Sequence, residues 1–149
     1  MKKIILIALL IQVFYYNNYS QTVSNNYSKN IIHEHMEWDE KWLNVIKDLK
    51  TVARQDKLTS LASVTDLKTI KNNIVRLIKN TPKKTSALLD ISFQARNSRF
   101  EKSLISLDIV ILANNENDAT QFFKLFFIEI DDIVNSNHDD IQEYITRLR

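Results

Sequence analysis

The groups in this sequence that could do chemistry fall into a few short clusters. His33, Glu34, His35 and Glu37 form the most metal-like of them. Imidazole and carboxylate both ligate zinc, but neighbours on a helix surface are three or four residues apart. His33 and Glu37 therefore share a face, His33 and His35 do not, and no third ligand accompanies the pair. The spacing predicts an exposed helix start, with no metal and no cofactor. His138, Asp139 and Asp140 read the same way, as a helix start with carboxylates at the positive end of the dipole. Asp131 and Asp132 offer paired carboxylates, but adjacent helical residues point about 100° apart and do not share an acid–base site.

Serines are plentiful, yet no His stands in a recognisable nucleophile arrangement, and the strained nucleophile elbow needs glycine. The chain has no Gly at all. That also removes the P-loop and the dinucleotide fingerprint, whose backbones must approach phosphate closely. The expectation is a protein that is not an enzyme.

Surface recognition is the remaining chemistry. Trp38 and Trp42 are four apart and share one helical face. Such a pair either packs in a core or anchors an interface. Lys68, Arg76 and Lys79 lie off the apolar stripe of a later helix, and Lys71 sits at its edge. These six residues are the predicted contact points.

The charge is segmented. Residues 41–102 carry fourteen Lys/Arg against five Asp/Glu, whereas residues 103–149 carry three against nine. Acidic helices packing beside basic ones explain this more simply than an anionic partner does. No nucleic-acid partner is expected.

The N-terminus explains the net charge of +2. Lys2 and Lys3 precede an apolar run over residues 4–16, interrupted by Gln12, and a polar stretch follows. That order marks a secretion signal, too short for the ~20 apolar residues of a membrane-spanning helix. Cleavage after Ser20 or after Ser24 fits, and retention as an anchor is the third alternative. A membrane contact is expected through this segment alone, if it is uncleaved. Removing it leaves a neutral chain of one domain's length, periplasmic or secreted. With no Cys, that domain must stand on packing without disulfides.

The elements that would position these groups are helices. Tight hairpins lean on Gly, so its absence argues against an all-β fold. The expected organisation is a signal peptide over 1–20, a disordered leader over 21–30 and a helical bundle over 31–149. A first helix is predicted over 31–55, with Trp42, Ile46, Leu49 and Ala53 as its seam. A second follows a weak cap at Ser63 and Asp66 and ends near Lys79, before the break at Asn80-Thr81-Pro82. The third runs over 86–113, and its second half is apolar almost all round; Ile109, Val110 and Ile111 give it some strand propensity. Asp118 caps a fourth over 119–134, Asn135 to Asn137 break it, and a last helix covers 139–148. The fold class is all-α, a bundle of four to five helices.

The long first helix, followed by Lys57-Leu58-Thr59-Ser60-Leu61-Ala62-Ser63-Val64-Thr65-Asp66-Leu67 in an exported helical chain, resembles the minor pilin proteins of type IV secretion. The likeness is greatest to the conjugal-transfer branch found in Bacteroidota. It implies a helical bundle in a conjugation or secretion apparatus that acts through protein contact in the cell envelope. A helical module that binds a small ligand or a metal in the periplasm is the alternative reading.

Overall fold

Every element seen is a helix whose apolar residues repeat at three and four. The computed structural model describes residues 28–83 and 86–148, with Ala87 described in its backbone alone. Four helices cover them: α1 over 28–52, α2 Leu61–Lys79, α3 Ala87–Leu112 and α4 Glu116–Leu148. No strand occurs among the described residues, and Ile109 to Ile111 are helical. The proposed signal peptide lies outside the described residues. The stretch read as a leader is helical from residue 28.

Side-chain contacts set the topology. Trp38 in the first half of α1 donates from Nε1 to the carbonyl oxygen of Leu77, near the end of α2, at 3.0 Å. It also packs on Phe93, near the start of α3, with ring centroids 5.0 Å apart. His35 meets Tyr144, near the end of α4, at 5.2 Å. These four helix ends therefore gather at one end of the bundle, and successive helices run antiparallel. The core is one continuous cluster, with Trp42, Phe93, Phe100 and Phe126 its largest fully buried side chains. Trp42 and Phe100 stack face to face, 4.0 Å apart and 8° from parallel.

Helix starts are capped by side chains that satisfy orphan backbone amides. Ser60 Oγ accepts from Ser63 N at 3.1 Å, and Ser86 Oγ accepts from Leu89 N at 3.3 Å. Asn115 Oδ1 accepts from Asp118 N at 2.9 Å. Two expected caps thus move three residues upstream: Ser60 takes the place of Ser63, and Asn115 that of Asp118. Ser63 is instead buried, and its hydroxyl donates to Lys57 O at 2.6 Å.

The last two predicted helices are one. Asn135, Ser136 and Asn137 lie inside α4. The mean cost of such residues in a helix is a few tenths of a kcal/mol each. Burying Val134, Ile141 and Ile145 on the same helix is worth about 1.5–3 kcal/mol per side chain and outweighs it. Asn137 is buried, and its Oδ1 accepts from Arg96, so its amide does not compete for the helix backbone.

Candidate functional site

Two places hold side chains that the core does not need for packing alone. One is a polar seam inside the bundle, the other an apolar row outside it.

The seam joins α1, α3 and α4. Asp39 is 4% exposed, and its Oδ2 lies 2.7 Å from His138 Nδ1. Arg96 on α3 donates to Asn137 Oδ1 at 3.0 Å and to Asp140 Oδ2 at 2.6 Å. His35 is fully buried, with Nδ1 2.8 Å from the carbonyl oxygen of Ile31. That oxygen can only accept, so Nδ1 carries the proton. His35 Nε2 and Asp39 Oδ1 meet no hydrogen-bond partner among the described residues. His138, Asp139 and Asp140 therefore lie mid-helix, where two of them bind other helices; they do not start a helix as the sequence suggested. These pairs link α4 to α1 and to α3, and a shift in register would leave the buried Asp39 carboxylate without His138.

The predicted contact points divide. Trp38 and Trp42, 4% and 0% exposed, belong to the core. Their i, i+4 spacing defined a face correctly, but that face turns inward onto Phe93 and Phe100. On α2, Lys68, Arg76 and Lys79 are exposed. Lys71 is half-buried and pairs with Asp108 of α3, so part of the basic segment is matched by the acidic one within the fold. Arg76 donates to Asn73 Oδ1 on its own helix. The structure brings these four cations to one helix, and Arg76 lines a surface pocket with Trp38, Glu34, Glu37 and Lys41 of α1.

The remaining clusters are surface pairs. Glu37 accepts from Lys41 Nζ at 2.6 Å, and this ammonium, with a smaller contribution from His33, holds the carboxyl below its ordinary range. Asp132 pairs with Arg99, and Asp131 accepts from Asn135. Hydrogen bonds to Glu129 and Asp132 raise Arg99 above its ordinary range. Among the described residues no group of three His, Cys, Asp or Glu converges as a metal site.

The second place is the outer face of α3. Its inner row, Leu89, Phe93, Phe100, Leu107 and Val110, is buried. A second row at the same spacing faces solvent, with large aliphatic side chains at its two ends and Ala95, Ser98 and Lys102 between them. Leu88 is 74% exposed, Ile91 63%, Ile105 64%, Ile109 38% and Leu112 75%. Leu125 and Ile128 add exposed apolar surface on α4. The signal was present in the sequence as a helix whose second half is apolar nearly all round, a pattern that marks burial on more than one side.

No protein-family model, curated protein or solved structure matches this chain.

Proposed function

We propose that this chain is an exported, non-enzymatic helical protein that acts by protein–protein contact in the periplasm or outside the cell. The outer row of α3 carries the reading. Exposed apolar residues scattered singly are ordinary, but large aliphatic side chains grouped at both ends of one helix face mark a contact surface. A helix with a second apolar seam docks another helix by inserting side chains between those of its partner. The conjugation or secretion apparatus implied by the pilin resemblance is an envelope assembly in which such docking is useful. The contact point moves from Trp38 and Trp42 to α3, and Lys68, Arg76 and Lys79 remain exposed on α2.

Site-specific photocross-linking in the native cell envelope tests this. A photoreactive residue replacing Ile105 is expected to give a protein adduct, and one replacing Lys47 on the exposed side of α1 is not. Equal yields from both positions, or none from Ile105, overturn the reading. The mass of the exported protein tests the signal: an N-terminus at Gln21 or Asn25 reports cleavage, and an intact Met1 reports a retained anchor.

A further inference from the structure

The outer row of α3 has an internal symmetry. Its positions are Leu88, Ile91, Ala95 and Ser98, then Lys102, Ile105, Ile109 and Leu112, and all eight are exposed. The intervals run three, four, three, four, three, four, three. This is the seam spacing of a coiled coil over more than three heptads. It also reads the same in both directions about a centre midway between Ser98 and Lys102.

We infer that the occupant of this face is a second copy of the same chain, lying antiparallel across a two-fold axis at that centre. The inference rests on the protein-contact reading above and names its partner. In the antiparallel register Leu88 faces the partner's Leu112, and Ile91 faces the partner's Ile109. Ala95 faces the partner's Ile105, a small residue against a large one, and Ser98 faces the partner's Lys102. Every apolar side chain meets an apolar one, and the two polar positions meet each other. A parallel pairing would also match apolar residues, but it would place Lys102 against the partner's Lys102 inside the seam. A two-fold contact closes on itself, as a self-complementary patch requires.

The area suffices. The five large aliphatic side chains, in two groups either side of Ser98 and Lys102, together present on the order of 600 Å² at the exposures given above. Two copies would cover roughly 1,200 Å² in total, the lower bound of a standard specific interface. Leu125 and Ile128, exposed on the neighbouring α4, can extend the contact beyond the seam.

The chain has no Cys, so the register can be tested on the full chain with introduced thiols and a short thiol-specific cross-linker. Ile91→Cys alone and Ile109→Cys alone are each expected to stay uncross-linked, because each faces the other position. Their equimolar mixture is expected to give a dimer, and the double variant a dimer in higher yield. Both substituted positions are solvent-exposed, and far-UV circular dichroism checks that the variants keep their helix content. In sedimentation the unsubstituted chain is expected to be a dimer, and Ile105→Glu to weaken it at least tenfold. Self-cross-linking of the single variants to the extent of the mixture, or no cross-link in any, overturns the antiparallel pair. If photocross-linking from position 105 still yields an adduct with a different protein, the contact reading survives and the self-pairing alone fails.

Discussion

The inner row of α1 and the outer row of α3 carry the same spacing and meet opposite fates. Ile31, His35, Trp38, Trp42, Val45, Leu49 and Val52 recur at four and three, and all are buried. The outer row of α3 recurs at the same intervals and faces solvent from end to end. Periodicity therefore selects a face, whereas the other helices decide whether that face is covered. The α1 row takes the two tryptophans because α2, α3 and α4 surround it. The α3 row carries aliphatic side chains at its two ends, with Lys102 and Ser98 at its centre.

Substitutions on the two rows should separate folding from association. Trp42→Ala, at the stacked centre of the α1 row, is expected to cost about 3–5 kcal/mol, read as a lower midpoint in urea unfolding. A cost under about 1 kcal/mol would mean that the row is not the folding core.

Glu116 gives the next largest effect, and it tests what closes the far end of the bundle. Its carboxylate accepts from Leu58 N at 2.8 Å, Thr59 N at 3.1 Å and Thr59 Oγ1 at 2.8 Å, tying the α1–α2 connection to the start of α4. Glu116→Ala strips these donors of their partner and is expected to cost about 1–3 kcal/mol. Desolvation pushes this carboxyl up, but the hydrogen bonds from Leu58 and Thr59, with the charge of Lys57, outweigh it and hold it below its ordinary 4.5. A carboxyl lowered on folding stabilises the fold above its unfolded value and loses that contribution as pH falls through the folded one. Stability should therefore drop on acidification below about pH 4.5, and the drop should be smaller in Glu116→Ala. Identical acid unfolding of the two chains would remove Glu116 from the account.

The smallest expected effect on folding is the sharpest for the comparison. Ile105→Glu, on the exposed α3 row, should leave the stability of the dissociated chain within about 0.5 kcal/mol while it weakens association. A large loss of stability in dilute solution would place Ile105 in the core and dissolve the contrast between the rows.

Much of this fold could be read from residue types and spacing. The absence of Gly and the three-and-four recurrence of Leu, Ile and Phe were enough for an all-helical bundle. The break at Pro82 and the α3 start at Ser86 were equally legible, since proline and a capping hydroxyl act within a few residues. The candidate site was less so. His138 and Asp39 are 99 positions apart, and nothing local to either predicts the 2.7 Å contact. Asn135 to Asn137 looked like a stop because propensity is local, and they continue α4 because Arg96 and the core supply what propensity withholds.

By itself, then, the sequence determined that helices form, where their apolar rows run, and that no glycine-built phosphate or nucleophile loop exists. Hydrogen bonding within a helix and the steric limits on each residue act over a few positions, so local order suffices for that. Only the tertiary structure decided which rows are covered. It buried Trp38 and Trp42, matched Lys71 to Asp108, and left the second row of α3 facing outward. Burial is a property of neighbours brought together from distant parts of the chain, and a periodic row carries no mark of which neighbour will arrive.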